Sequence, residues 1–340
     1  MRRVITGVFR RRGGRFVLAM AIFGATVVPP VVESAAAAEP ELGRITIAAD
    51  YTQRTGSRAR DLTGDGVADI VARQPGIDNG ALWVYHGTGS INGMSTLVDR
   101  TKIGQGWNIF NWIATAEITG DTEDSETIPE MPADVLARRA SDGALLVYPH
   151  SGTLNGLSTL GAPVVIGTGW NSMTSIVLAD VTGDGFDDIL ASDNSDNSDN
   201  LWLYPHSRVF NGTSTFGARV LVRQGRLGWL YSTEWTTDFP DLVTNFIATG
   251  DMQDAPHQRK VDGTGTWRQA GTQISANQFT GDLLDILILA DLNADGRDDV
   301  VVRGLDGSLV VFPFRGVNGL GTFGSPTVIG SGWNIMDMIT

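Results

Sequence analysis

Three copies of one nine-residue acidic loop, each set between short apolar runs, constrain the fold of this chain most strongly. The copies are Asp61–Asp69, Asp180–Asp188 and Asp291–Asp299. Oxygen-bearing side chains stand at loop positions 1, 3, 5 and 9, position 6 is Gly in each copy, and position 7 offers a backbone carbonyl. Alternate residues of a tight turn can supply the oxygens, about six to eight, that Ca²⁺ prefers. The spacing therefore predicts a repeated calcium site.

The predicted calcium ligands follow directly from this spacing. They are Asp61, Thr63, Asp65, the carbonyl of Val67 and Asp69; Asp180, Thr182, Asp184, the carbonyl of Phe186 and Asp188; and Asp291, Asn293, Asp295, the carbonyl of Arg297 and Asp299. The loops are not EF-hands, because position 12 holds Ala72, Ala191 and Val302 instead of a bidentate Glu. The alternative is an Asp-Gly turn that only connects strands, since Asp and Gly are common turn residues. Repetition of the full pattern favours the metal.

A second unit carries an incomplete loop. Its first half is Glu117, Thr119 and Asp121, which we include as less certain ligands. An acidic, proline-containing insertion over 122–132 separates this half from its end, so the closing ligand is Asp134, Asp124 or none.

The flanks of the loops predict short strands. Apolar, β-branched runs such as Ile70–Ala72 follow each loop, a third strand begins at Leu82 and its counterparts, and a fourth ends in a Gly-Trp pair. Loops start at residues 61, 117, 180 and 291, so the spacings are 56, 63 and 111, the last close to twice the first. One degenerate unit is therefore expected between Trp229 and Leu289. In it only Asp238 and Asp241 match the loop, residues 250–276 replace a normal blade, and no metal is predicted.

Four short strands recurring at this period favour radial blades over a solenoid. The predicted fold is all-β: a β-propeller of four-stranded blades with about five repeat units, one of them degenerate. The units resemble FG-GAP repeats of the integrin α-chain propeller and the related VCBS-type repeats of secreted actinobacterial proteins, over roughly residues 45–340. The resemblance implies that the acidic loop joins the first and second strands of a blade and holds Ca²⁺. It gives a single domain over 39–340, with units near 61–116, 117–179, 180–235, 236–290 and 291–340.

The sequence is compatible with two ways of closing the ring. The chain either closes as five blades or forms an incomplete propeller that closes by self-association. Residues Ile45–Tyr51 predict a strand that would lie beside a C-terminal blade and cover an exposed sheet edge.

Residues 1–38 predict an export signal. Six arginines precede the apolar stretch Phe16–Val28, and small residues at Ala35–Ala38 place cleavage near Ala36–Glu39. The apolar stretch is short for a membrane span, so we expect a secreted protein with no stable membrane insertion, exported by the Sec or the twin-arginine route. The net charge of −13 argues against a nucleic-acid partner, and the absence of Cys excludes disulfides.

Catalytic patterns are weak. His86, His150 and His206 recur after the third strand, which indicates a repeated structural role, with a zinc set as the sharper alternative. No Gly-x-Ser-x-Gly elbow occurs. We therefore predict a protein that is not an enzyme, and a hydrolase acting at the channel mouth is the minority alternative.

For most of the tryptophans, recurrence at the same place in each unit predicts packing between blades. Those that recur are Trp107, Trp170, Trp229 and Trp333 in the Gly-Trp pair, and Trp83 and Trp202 in the third strand. Sugar stacking on an exposed ring is the alternative. The predicted function is a calcium-binding module for an unidentified extracellular protein or carbohydrate ligand, with a purely structural module as the alternative.

Overall fold

The computed structural model describes residues 60–120, 132–193, 200–225, 228–236, 239–246, 248–281 and 284–340. The predicted export signal, the predicted strand Ile45–Tyr51, and Asp121, Asp124 and Asp238 lie outside these ranges.

The described residues form twenty strands in five four-stranded antiparallel sheets. The strands are β1 (Ile70–Gln74), β2 (Ala81–Gly87), β3 (Leu97–Gly104), β4 (Phe110–Ala116), β5 (Asp134–Arg139), β6 (Leu145–Tyr148), β7 (Val164–Gly167), β8 (Met173–Ala179), β9 (Asp188–Asp193), β10 (Asn200–Tyr204), β11 (Val220–Arg223), β12 (Trp229–Thr233), β13 (Asp241–Phe246), β14 (Asp251–Ala255), β15 (Thr272–Ser275), β16 (Leu284–Ala290), β17 (Asp299–Gly304), β18 (Leu309–Phe312), β19 (Thr327–Gly330) and β20 (Met338–Ile339). From the innermost strand outward, blade 1 is β20-β1-β2-β3, blade 2 is β4 to β7, blade 3 is β8 to β11, blade 4 is β12 to β15 and blade 5 is β16 to β19. The predicted all-β propeller with five blades is confirmed.

Blade 4 is complete, which corrects the expectation that residues 250–276 replace a normal blade. Strands β14 and β15 lie within that stretch and pair with each other, and β14 pairs with β13. The blade was hard to recognise because β14 reads Asp-Met-Gln-Asp-Ala, with few apolar residues.

Ring closure occurs within one chain. Strand β20 pairs with β1 and so becomes the innermost strand of blade 1. The N–H of Val71 donates to the carbonyl of Thr340 at 2.9 Å, and the N–H of Thr340 donates back at 2.8 Å. Beside this pair, Arg73 makes a bidentate ion pair with Asp337, at 2.8 Å from Nε and 2.5 Å from Nη2. A C-terminal strand thus closes the five blades.

Tryptophans of the Gly-Trp turns join successive blades. Trp107, Trp170 and Trp333 are only 4, 8 and 6% exposed, so the packing prediction is confirmed for them. Each indole packs at a tilt against the third-strand tyrosine of the next blade; the ring centroids of Trp107 and Tyr148 lie 4.7 Å apart, with 40° between the ring planes. The equivalent pairs are Trp170 with Tyr204 and Trp333 with Tyr85. Such aromatic contacts add to the apolar area buried between blades.

Trp229 departs from this pattern. It is 46% exposed and begins β12, where it pairs with Asn245. Trp229 is thus an exception to the packing predicted for most of the tryptophans, because in register it corresponds to Trp112 of β4, whose partner is Arg138.

Three arginines hold the Gly-Trp turns from the second strand of their blades. In blade 1, Nη1 of Arg73 donates to the carbonyls of Trp107 at 2.8 Å and Phe110 at 2.6 Å. Arg138 does the same for Trp170 and Met173, and Arg303 for Trp333 and Met336. Each tryptophan carbonyl thereby gains a second donor, beside the N–H of the residue three positions further along the chain.

Candidate functional site

The acidic loops lie at one end of the blades, which we call the loop face. In blades 3 and 5 the loop joins the innermost strand to the second strand, as the family resemblance implies. In blade 1 the loop at Asp61 only precedes β1, because the innermost strand β20 comes from the other end of the chain.

The first carboxylate of each complete loop organises the turn. Oδ1 of Asp61 accepts the N–H of Gly64 at 2.7 Å, and Oδ2 accepts the N–H of Gly66 at 2.7 Å. Asp180 accepts from Asp184 and Gly185, and Asp291 from Asp295 and Gly296. An acceptor side chain that binds several successive N–H groups fixes a tight turn.

Positions 3 and 5 also carry oxygens in each complete loop. Oδ1 of Asp65 accepts the N–H of Val67 at 2.9 Å, and position 5 repeats this contact in the other two loops. At position 3 the hydroxyl of Thr182 is buried and makes no hydrogen bond within the described part of the chain. The hydroxyl of Thr119, at position 3 of the incomplete loop, is in the same situation. A buried oxygen without a partner is an available ligand, since leaving it unpaired costs about 1–3 kcal/mol.

The aspartate at position 9 occurs in all five blades, and it accepts hydrogen bonds from both its own loop segment and the third strand. Oδ2 of Asp69 accepts the N–H groups of Leu62 and Thr63, each at 2.9 Å, and Oδ1 accepts the N–H of Gly87 at the end of the third strand, at 3.0 Å. The counterparts are Asp134, Asp188, Asp241 and Asp299, whose Oδ1 atoms accept from His150, His206, His257 and Phe314. This carboxylate ties the loop segment to the third strand, which explains why it persists in blades 2 and 4, where the loop is incomplete.

Burial raises the pKa values of several loop carboxylates. It raises the pKa of Asp69, Asp180 and Asp299 to about 7, and neighbouring carboxylates raise these pKa values further while backbone N–H donors lower them. Burial also raises the pKa of Asp188 well above its ordinary value. Like charges held close together disfavour ionisation, and a cation among them reverses this effect.

The donor set of the loops fits a hard cation at positions 1, 3 and 5, where oxygens face one turn. At positions 1 and 9 both carboxylate oxygens already accept backbone N–H groups, so a cation at either position would share these oxygens with the N–H donors. Within the described ranges no group of three or more Asp, Glu or His side chains is gathered closely enough to form a ready metal cluster. Calcium at Asp61, Asp180 and Asp291 and their loop partners therefore stays a prediction.

Blade 4 contains loop residues that the sequence analysis missed. Glu234 follows β12 as Glu117 follows β4. Thr236 then corresponds to Thr119, and both its N–H and its hydroxyl donate to Oδ2 of Asp241 at 2.7 Å. The signal was present as Glu-x-Thr-x-Asp at 117–121 and again at 234–238. It was overlooked because blade 4 has neither of the glycines, at positions 4 and 6, of which every other loop keeps at least one.

The histidines have structural roles, and the repeated set differs from the predicted one. His150, His206 and His257 occupy equivalent places, whereas His86 stands one residue earlier and Gly87 takes the equivalent place in blade 1. In His206, Nδ1 accepts the N–H of Arg208 at 2.9 Å, so the proton lies on Nε2 and donates to the carbonyl of Ile118 at 3.1 Å. Burial lowers the pKa of His206 and His257 to about 4, which keeps them neutral near pH 7.

The third-strand tryptophans are covered by arginines. The guanidinium carbon of Arg100 lies 4.1 Å from the ring centroid of Trp83, and Arg219 lies 4.1 Å from Trp202. These cation–π contacts occupy the faces that a sugar ring would need. Sugar stacking at these two sites would first require the arginines to move.

The innermost strands enclose a central channel that forms a cavity of about 660 Å³. Strand pairing arranges its wall in two layers. Each residue of the tryptophan layer pairs with the second-strand residue that follows the ninth-position aspartate by four positions. The layer consists of Trp112, Ser175, Trp229, Ile286 and Met338. The tyrosine layer lies two residues nearer the loop face: Ala114, Val177, Tyr231, Ile288 and Thr340. All ten residues line the cavity.

Fold and loops together define a five-bladed β-propeller with acidic loops at one face. No protein-family model matches the chain, and no curated protein matches it. One solved structure to which it is similar is the PQQ-bound form of aldose sugar dehydrogenase from Streptomyces coelicolor, at 13% identity over 82% of this chain and 84% of that chain, with a TM-score of 0.35. At these values the similarity says nothing about activity, ligand or site. The resemblance to FG-GAP and VCBS-type repeats stays a prediction.

The search for membrane spans gave one finding. In the described ranges no helix has the length and apolar character needed to cross a membrane.

Proposed function

We propose that the protein is a secreted, calcium-stabilised β-propeller that binds an extracellular protein or carbohydrate through its loop face. The observation that carries this proposal is the recurrence of the same oxygen-rich turn at the same end of blades 1, 3 and 5. In each turn the first carboxylate is oriented by N–H groups of its own loop, as in Asp61 with Gly64 and Gly66. Orientation of ligands before the ion arrives lowers the cost of binding it.

Calcium would be held by the first, third and fifth positions and by the carbonyl of position 7. In blade 3 these are Asp180, Thr182, Asp184 and Phe186, and the buried hydroxyl of Thr182 would then gain a partner. The bound ion would supply a fixed positive charge that holds the two halves of the turn together.

Neighbouring loops are connected, so an ion in one loop would also order the next. The N–H of Glu117 donates to Asp187 at 2.8 Å, and the N–H of Asp187 donates back to the carbonyl of Glu117 at 3.1 Å. The N–H of Ala133 donates to the carbonyl of Asp61 at 2.8 Å, which links blades 1 and 2. A rigid loop face built from repeated units is suited to a ligand that makes several weak contacts at once.

Calorimetric titration of Ca²⁺ into chelator-treated residues 39–340 tests the metal, with the melting temperature followed in parallel. We expect about three ions and an upward shift of the melting temperature, because a ligand at 100 times its Kd stabilises by about 2.7 kcal/mol per site. Removing the turn-forming carboxylate by Asp180→Asn should lower the ion count by one. The control Asp99→Asn removes an exposed carboxylate of β3 and should leave the count unchanged. Absence of both heat and thermal shift would overturn the calcium proposal.

The binding role needs a separate measurement. Glycan arrays and immobilised extracellular matrix proteins would be probed with the calcium-loaded protein and again with EDTA. Binding that EDTA abolishes supports the proposal. Absence of binding by a protein whose fold depends on calcium would refute the binding role and favour a purely structural module.

A further inference from the structure

Two arginines occupy a backbone position at which the other three blades have glycine. The position lies two residues after the third-strand residue whose N–H binds the aspartate at position 9. In blades 1 to 5 it is held by Gly89, Gly152, Arg208, Arg259 and Gly316, with φ between 54° and 97°. Residues with a Cβ rarely adopt this left-handed conformation, because the Cβ comes too close to the following carbonyl oxygen. Such strained residues cluster at functional sites.

The side chain of Arg208 reaches the acidic loop of its own blade. Its backbone is fixed by a hydrogen bond from its N–H to Nδ1 of His206 at 2.9 Å. Nε of Arg208 lies 3.7 Å from Oδ2 of Asp184, and Nη2 donates to the carbonyl of Asp184 at 3.2 Å. Asp184 is the fifth position of the loop, and its Oδ1 accepts the N–H of Phe186. The guanidinium thus lies beside a carboxylate that the proposed calcium site assigns to the ion.

The other two complete loops lack this contact. Gly89 and Gly316 have no side chain to place there. Within the described ranges neither Asp65 nor Asp295, the fifth-position residues of blades 1 and 5, forms an ion pair with a lysine or arginine. In blade 5 the guanidinium of Arg297 donates to a backbone carbonyl of its own loop instead. Pairing of an arginine with the fifth position is therefore particular to blade 3 among the complete loops.

A calcium ion in the blade 3 loop would be repelled by this guanidinium. Ca²⁺ binds carboxylate oxygens at about 2.3–2.6 Å, so an ion on Oδ2 of Asp184 would lie within about 6 Å of Nε of Arg208. The side chain of Arg208 is 60% exposed, so the dielectric constant of water is the appropriate one for this repulsion. Charges of +2 and +1 at about 6 Å in water weaken binding by about tenfold.

We propose that Arg208 is a resident cation of the blade 3 loop, which pairs with Asp184 in the calcium-free protein and lowers the affinity of this loop for Ca²⁺ by about tenfold. The inference rests on the proposed calcium binding and adds a residue that sets the affinity of one loop. It also accounts for an arginine at a backbone position that favours glycine, since only a side chain at this place can reach the loop in this way.

Calorimetric titration of Ca²⁺ into the protein of residues 39–340 carrying Asp65→Asn and Asp295→Asn tests the proposal. These two changes remove the fifth-position carboxylates of blades 1 and 5, while the Asn Oδ1 can still accept the N–H that each aspartate binds, so blade 3 alone keeps a complete loop. In this background Arg208→Gln should tighten calcium binding by about tenfold, because it removes the charge and keeps a side chain of similar length. Arg208→Lys retains the charge and should change the affinity much less.

Salt dependence separates repulsion from any effect of backbone strain. The gain from Arg208→Gln should shrink when NaCl is raised from about 20 mM to about 0.5 M, because salt screens the repulsion between the guanidinium and the ion. A gain that is independent of salt would overturn the electrostatic inference.

The matched control is Arg259→Gln, at the equivalent left-handed position of blade 4, where no complete acidic loop lies beside it. It should leave calcium binding unchanged. Equal affinity with and without Arg208→Gln, or the same gain from Arg259→Gln, would overturn the inference while leaving the proposed calcium binding in place. Absence of calcium heat from every variant would instead overturn the proposed calcium binding at this loop, and the inference with it.

Discussion

Asp254 occupies a core position of blade 4 that is aliphatic in the other four blades. Its counterparts are Val84, Val147, Leu203 and Val311, all fully buried. Asp254 is fully buried too, and neither of its carboxylate oxygens has a hydrogen bond within the described residues. Burial and the nearby Asp241 raise its pKa to about 8, although Arg268 acts in the opposite direction. We expect Asp254→Val to stabilise the protein at neutral pH.

The magnitude follows from proton linkage. The pKa of this carboxyl is about 8 in the folded protein, against its ordinary value of 3.8 in the unfolded chain. A raised folded pKa means that the folded state retains a proton which the unfolded state has lost, so stability is complete below pH 3.8 and falls as pH rises toward 8. At about 1.36 kcal/mol per pH unit, roughly 4 kcal/mol is lost between about pH 4 and pH 7.

The assay is chemical denaturation of both proteins at pH 4, 5.5, 7 and 8.5. Asp254→Val should gain roughly 3–4 kcal/mol at pH 7 and little at pH 4, and its melting temperature at pH 7 should rise by about 5–10 °C. Asp99→Asn, which removes an exposed carboxylate, is the control and should leave the difference between pH 4 and pH 7 in place. A gain of equal size at every pH would refute the ionisation argument, since simple repacking predicts that result.

Three further perturbations test other contacts. Asp241→Ala removes the acceptor of the Thr236 N–H, the Thr236 hydroxyl and the His257 N–H. It should lower the free energy of unfolding by about 3–5 kcal/mol in calcium-free chemical denaturation. An unchanged denaturation midpoint would show that this carboxylate does not hold the loop segment to the third strand. Arg73→Gln breaks the contacts with Asp337 and with the carbonyls of Trp107 and Phe110, and should lower the free energy of unfolding by about 2–4 kcal/mol in the same assay. Arg139→Gln, which removes an exposed arginine, should change the denaturation midpoint little. Gly87→Ala would place a Cβ 2.2 Å from the carbonyl oxygen of Ala68 and should lower stability by about 1–3 kcal/mol, in contrast to Gly76→Ala, whose Cβ meets nothing within 4 Å.

Local patterns made most of the fold predictable. A turn such as Asp61–Asp69 is fixed by its own aspartates and glycines, so it is recognisable from sequence alone. Its repetition at a constant period indicates blades, because each unit must bury its apolar faces against the next. The strands of the degenerate unit were harder to recognise from sequence, since Gln253 and Asp254 interrupt the apolar run of β14. The Pro256-His257 pair that follows still matched the other third strands.

The parts that sequence did not reveal depend on distant contacts. Pairing of Ala72 with Ile339 joins the two ends of the propeller, and no local pattern indicates which strand will complete blade 1. The second role of the ninth aspartate was hidden for the same reason. Asp69 fits a ligand pattern by spacing, while its bond to Gly87 appears only when the third strand is placed. The wall of the central channel likewise depends on register, which places Tyr231 and Trp229 along the same strand beside residues of the other four blades.

Pairing of β20 with β1 also affects the solubility of the protein. Residues 338–339 are synthesised after the strands of the other blades, so β1 stays an open edge until they leave the ribosome. Bringing such distant segments together costs little more at equilibrium than a shorter loop, because closure entropy grows only logarithmically with length. Removal of residues 338–340, however, would leave β1 with exposed N–H and C=O groups that strands of other chains can pair with. A chain that lacks β20 is therefore expected to aggregate.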